Sequence, residues 1–186
     1  LEQAHLFMAT PIVAARDPRR YAADLLINVL GGGTSSRLWQ RIREERGLAY
    51  SVGASTAMFL DAGFLAISAA TSPEQVREVV SIVVEELASI ARDGVGDEEL
   101  ALVKDQTRAS ILLGLEDSAG RAGTLAQCEM VHGRQIPVEE TLANLDAVTV
   151  VDVREVVGEF FRAEQVALVA FGDLEALEIG RNDLII

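Results

Sequence analysis

The sequence predicts an α+β domain, a mostly antiparallel sheet covered on one face by helices. Three observations lead there. Strand-like apolar segments stand near both ends of the chain, a hairpin pattern occupies residues 48–70, and segments of helical period fill the intervals. No long low-complexity linker divides the chain, so its 186 residues read as one domain.

Residues 4–10 (AHLFMAT) form the first expected strand, with 11–15 as a possible extension. Pro18 opens a helix to about Leu30, with Ala22, Leu25, Leu26 and Val29 on one face. After Gly31, Gly32 and Gly33, Ser35 or Ser36 caps a second helix to about Arg46, and Gly47 ends it. Residues 48–57 alternate, with Leu48, Tyr50, Val52 and Ala54 on one side. Asp61-Ala62-Gly63 turns the chain back into a strand over 64–70.

The next helix has the clearest start. Ser72 caps it, Pro73 takes its first position and Gln75 completes a capping box. Val76, Val79, Val80, Val83, Val84, Leu87 and Ile90 make its apolar stripe, with Glu85 and Glu86 largely off it. Asp97 caps a further helix with Leu100, Val103 and Ile111 inward. Gly114, Gly120 and Gly123 mark a break before a segment ending at His132. Pro137 starts a short helix, and Thr149 caps one to about Phe161. A last strand covers 165–171, and 174–186 show no clear pattern.

Composition narrows the function classes. Hydrophobic residues at 49 % exclude global disorder. Charges and glycines break every apolar run short of membrane-spanning length. A net charge of −13 argues against nucleic acid and against an anionic membrane as partner, and is compatible with basic peptides. The chain opens at Leu1, which reads as a cut end, and no signal-peptide pattern is visible. Cys128 is the only cysteine, so no internal disulfide forms, and the cytoplasm is the expected compartment. Its helical setting makes Cys128 a small core residue.

The chemistry concentrates in residues 31–51, GGGTSSRLWQRIREERGLAYS. Glycines permit positive φ and close approach of another chain, and a following helix start offers free N–H groups to a carbonyl or an anion. A phosphate loop is excluded, because no Gly-Lys-Ser/Thr follows and a helix, not a strand, precedes the glycines. The glycines alone fit a tight helix–helix turn equally well.

The longer pattern is more specific. Leu30-Gly31-Gly32-Gly33, then Ser35-Ser36-Arg37-Leu38, then Arg43-Glu44-Glu45-Arg46-Gly47-Leu48-Ala49-Tyr50-Ser51 resembles the C-terminal half of the insulinase-like (pitrilysin, mitochondrial-processing-peptidase) zinc metalloproteases. The resemblance runs through residues 1–172 and leaves 173–186 as a tail outside it. It implies the non-zinc half of a chamber built from two similar domains. The zinc motif H-x-x-E-H then belongs to an N-terminal domain or partner subunit absent here. This chain has only His5 and His132, too far apart for that motif, so it is expected to hold no metal and to be inactive alone.

The resemblance also implies roles. Arg43 and Tyr50 reach substrate near the zinc, where guanidinium and phenol donors stabilise developing negative charge. Gly31, Gly32 and Gly33 are implied to guide peptide substrate. Without the resemblance, Arg43 reads as a surface residue paired with Glu44 or another acid, and Tyr50 as a packed strand aromatic. Arg37 and Arg46 read as ion-pairing surface residues, and Trp39 as domain packing. Two rival readings of the parent stay open: a non-catalytic recognition or structural subunit of the same fold, and an independent peptide-binding module. Either way, the isolated chain is expected to self-associate through the surface meant for its partner.

Overall fold

The computed structural model describes residues 2–175 and 177–186. Four strands form one antiparallel sheet: β1 (Ala4–Ile12), β2 (Ala49–Met58), β3 (Gly63–Thr71) and β4 (Ala167–Phe171), in the order β2-β3-β1-β4. Six α-helices accompany it among the described residues: α1 (Arg20–Gly31), α2 (Val76–Asp93), α3 (Asp97–Gly114), α4 (Ser118–His132), α5 (Val138–Ala147) and α6 (Val150–Phe160).

The sheet has one covered face and one open face. Period two puts Ala4, Leu6, Met8, Thr10 and Ile12 of β1 under the helices, while His5 and Phe7 point outward. Val79, Val80 and Val83 of α2 lie against Leu6, Met8, Ile67 and Ala69, so the predicted valine stripe is the floor of the core. Burying such a β-branched side chain stabilises the fold by roughly 1.5–3 kcal/mol. The Thr10 hydroxyl donates to the Phe160 carbonyl at 3.1 Å, tying β1 to the end of α6. The α+β class with helices on one face is therefore the architecture observed.

Local start and stop signals had mixed outcomes. Thr149 and Asp152 form the capping box of α6, and Asp117 caps α4 after the break marked by glycine. At α2 the expected box does not form. Pro73–Gln75 make a 3-10 turn, and the Ser72 hydroxyl bonds the Gln75 side chain instead of a backbone amide. Glu86 is not off the stripe but buried, at 7 % exposure, because two arginines reach it from the preceding segment. Cys128 is half-buried and contributes nothing to the core, since α4 has no buried residue. The tail packs back on the domain: Leu184 is buried, and Leu174, Leu177 and Ile179 lean on the core.

Candidate functional site

The site begins where α1 ends. Gly31, Gly32 and Gly33 do not use positive φ, against the expectation that their backbone freedom matters; Gly32 is right-handed helical at φ −80°. Gly31 is instead a contact glycine. A Cβ there would sit 2.8 Å from the Ala54 Cβ and 2.9 Å from the Gly53 carbonyl carbon, so only hydrogen lets α1 meet β2. Gly32 has no room beside the Asn28 side chain, and Gly33 faces open space. The Gly33 carbonyl accepts both the Ser36 amide (3.1 Å) and the Ser36 hydroxyl (2.5 Å), so Ser36 closes the loop and does not cap a helix.

The expected second helix is shorter and wider than its pattern suggested. Residues Trp39–Glu44 form a π-helical turn, with the Glu45 amide bonded to the Gln40 carbonyl at 2.9 Å. Leu38 and Ile42, both at 0 % exposure, anchor it in the core. Gly47, at φ +61°, turns the chain toward β2, where a side chain would strain the left-handed backbone.

β2 then breaks its own alternation. Ala49 pairs with Thr71 and Ser51 pairs with Ala70, leaving Tyr50 as the extra residue of a β-bulge. The predicted face shared by Tyr50 and Val52 is therefore wrong. Val52 is buried while Tyr50 is 78 % exposed, because one unpaired residue turns the next side chain over. The buried Thr71 hydroxyl donates to the Leu48 carbonyl at 2.5 Å and holds the strand entry in place.

This geometry brings Arg43 and Tyr50 together. The Arg43 guanidinium lies 4.2 Å from the centre of the Trp39 ring and 5.0 Å from that of Tyr50. No salt bridge to Arg43 occurs among the described residues. The expected alternative partner, Glu44, accepts the Trp39 indole N–H at 3.0 Å instead. The sequence reads Trp39 as domain packing; in the fold its ring centre lies 4.2 Å from the Arg43 guanidinium. Their four-residue spacing on a helical segment was the available signal.

The neighbouring arginines behave as ion pairs. Arg37 grips Glu99 at 2.7 Å and approaches Glu86 at 3.7 Å; Arg41 holds Glu86 at 2.6 Å and Glu85 at 2.8 Å. The Glu99 hydrogen bond, most of all, drives Arg37 above its ordinary range, and the Arg41 hydrogen bond holds the Glu85 carboxyl below its own. Arg46 pairs with Glu78 at 2.8 Å on the surface, as expected.

Away from this cluster, a concavity of about 1090 Å³ opens between α1, the end of α3, α4 and α5. Asp24 lines it, and burial pushes its carboxyl up to about 6 against the pull of Arg20. His132 lies at its rim, held below its usual value by burial and by Arg20, Arg16 and Arg134. His5 stands exposed on β1. Among the described residues, no three His, Cys, Asp or Glu side chains are placed to hold a metal ion. No helix among them is long and apolar enough to cross a membrane.

The antiparallel sheet backed by helices is a fold shared with solved structures. Residues 1–107 match the family model described as the peptidase M16 inactive domain. Over 155 residues the chain is 41 % identical to an uncharacterized zinc protease of Streptomyces coelicolor, covering 83 % of this chain and 34 % of that protein. It is 34 % identical over 160 residues to an uncharacterized zinc protease of Bacillus subtilis, covering 86 % of this chain and 39 % of that one. Among solved structures, a peptidase M16 inactive domain from Pseudomonas fluorescens superposes with a TM-score of 0.81 at 23 % identity, over 91 % of this chain and 40 % of that chain. A complex III chain from Candida albicans superposes at 0.87 with 19 % identity, over all of this chain and 47 % of its own. These two establish likeness of fold.

The chain belongs to the peptidase M16 inactive-domain family of zinc-protease homologues. It spans about a third of the length of the Streptomyces relative, at 34 %.

Proposed function

We propose that this chain is the non-zinc half of a zinc metalloendopeptidase, closing a proteolytic chamber against an N-terminal zinc-bearing domain or partner subunit. Arg43 and Tyr50 are its contribution to the reaction on a peptide substrate. The observation that carries this reading is the Arg43 guanidinium lying 4.2 and 5.0 Å from the centres of two aromatic rings, with no carboxylate paired to it among the described residues. A guanidinium so placed keeps its in-plane N–H groups for a carbonyl oxygen. Tyr50, on the bulge and 78 % exposed, offers a phenol donor from the same place.

In amide hydrolysis the carbonyl oxygen gains negative charge, and donors already aimed at it lower the barrier. The zinc ligands and the water-activating base belong to the other half, so no step through the metal is assigned to this chain. In this reading Gly33, in open space beside the loop closed by Ser36, borders the substrate path, while Gly31 keeps α1 seated on β2. The cytoplasm is the proposed compartment, on the single cysteine alone.

The test is turnover of the intact two-domain protein after Arg43→Ala and Tyr50→Phe. Loss of one donor is expected to lower kcat about 10²–10³-fold. Wild-type turnover in both variants would sink the assignment of Arg43 and Tyr50, whereas no turnover in the unmutated protein would favour the non-catalytic-subunit reading.

A further inference from the structure

Three arginines stand within seven positions of one short segment, and each meets different company. Arg37 and Arg41 spend their N–H groups on Glu99, Glu85 and Glu86. Arg43 has an acid next to it in sequence, Glu44, and does not pair with it. The Glu44 carboxylate is turned to the Trp39 indole N–H at 3.0 Å, while the face of the same indole lies 4.2 Å from the Arg43 guanidinium. One side chain therefore touches both members of a potential ion pair.

We propose that Trp39 is the positioning residue for Arg43: its ring face orients the guanidinium, and its N–H occupies Glu44 so that the arginine's donors stay available. This rests on the reading of Arg43 as a substrate-contacting residue. The physical logic has two parts. Stacking on a ring restricts the guanidinium plane without consuming any of its five in-plane donors, whereas a carboxylate fork consumes two. A carboxylate left free beside an arginine captures it, because charge-assisted hydrogen bonds are stronger than neutral ones. The sequence places the parts within one helical neighbourhood: Trp39 and Arg43 lie four residues apart, and Glu44 follows directly. The Tyr50 ring centre lies 5.0 Å from the same guanidinium, and the bulge turns Tyr50 outward.

The experiment is steady-state kinetics of the two-domain parent protein carrying single and double variants. Trp39→Ala is expected to lower kcat/KM roughly 5- to 30-fold, mainly in kcat, the scale of one cation–π contact. In an Arg43→Ala background the same change is expected to add nothing further, since its only route to the reaction is gone. Trp39→Phe keeps a ring but frees Glu44, and is expected to lose several-fold; Trp39→Phe with Glu44→Gln removes the competing charge and is expected to regain most of that loss. Glu44→Gln alone is expected to stay within twofold of wild type.

If Trp39→Ala costs as much without Arg43 as with it, or if Glu44→Gln fails to rescue Trp39→Phe, Trp39 is a packing residue and the inference is overturned. If Arg43→Ala itself turns over at the wild-type rate, the earlier reading falls, and this one with it. Should Trp39→Ala not fold, the Trp39→Phe and Glu44→Gln pair decides the question.

Discussion

Arg37 and Arg41 on one side of the 37–46 segment, and Arg43 on the other, carry the same charge to different ends. The first two face α2 and α3 and are clamped: Arg41 to Glu86 and Glu85, Arg37 to Glu99. The third is half-buried and, among the described residues, is met by rings and by no carboxylate. The clamped side fixes where the segment sits. The stacked side keeps a cation oriented with its donors unspent. A charge that anchors structure and the charge proposed to meet substrate differ here in their partners.

That contrast can be broken from the clamped side first. Glu86→Ala is expected to have the largest effect on stability, because it strips a buried carboxylate from two arginines. Arg37 and Arg41 each keep a second acid, so the loss should be about 2–3 kcal/mol, below the usual cost of breaking a buried pair. Denaturant unfolding of the two-domain protein would measure it; a change under about 0.5 kcal/mol, the range of an ordinary surface substitution, would mean the clamp is ornamental.

Gly31→Ala comes next. Its methyl group meets Ala54 and Gly53 at less than contact distance, so α1 must lift from β2 at a cost of about 1–3 kcal/mol. Unchanged stability would remove the packing role given to Gly31.

Asp24 sharpens the comparison from a third place, since here a charged group is neither clamped nor stacked. Its folded pKa of about 6 lies above the ordinary carboxylate value, so the folded state binds the extra proton. Stability from this group is present below about pH 4 and is lost as pH rises through about 6. Asp24→Asn is therefore expected to stabilise the fold by about 1–2 kcal/mol at pH 7.5 and to give nothing at pH 4. The smallest effect belongs to Arg46→Ala. Its pair with Glu78 is exposed at both ends, and its loss should cost under about 0.5 kcal/mol.

Much of the fold was legible because its signals are local and repetitive. The valine stripe of α2, the Thr149 cap of α6 and the turn at Asp61-Ala62-Gly63 each follow from spacing that no distant contact overrides. What the pattern could not carry depended on partners far along the chain. Glu86 reads as a surface acid until Arg37 and Arg41, more than forty positions earlier, are folded against it. Tyr50 reads as an inward residue until the pairing of Ala49 with Thr71 and Ser51 with Ala70 leaves it unpaired. Periodicity assumes one residue per partner, and a bulge violates that assumption without a marker of its own. At the candidate site, the motif brought out Arg43 and Tyr50, and the fold brings them together. Trp39 stayed hidden because an apolar aromatic at helical spacing is a core residue by default, and only the cation over its ring distinguishes it.

The central claim is that Arg43, unlike its clamped and surface neighbours, acts on substrate. The direct measurement compares kcat/KM of Arg43→Ala with that of Arg46→Ala in the two-domain protein, on one peptide. The account predicts a fall of about 10²–10³-fold for Arg43 and a change within about twofold for Arg46. Equal effects, whether both large or both negligible, would contradict it.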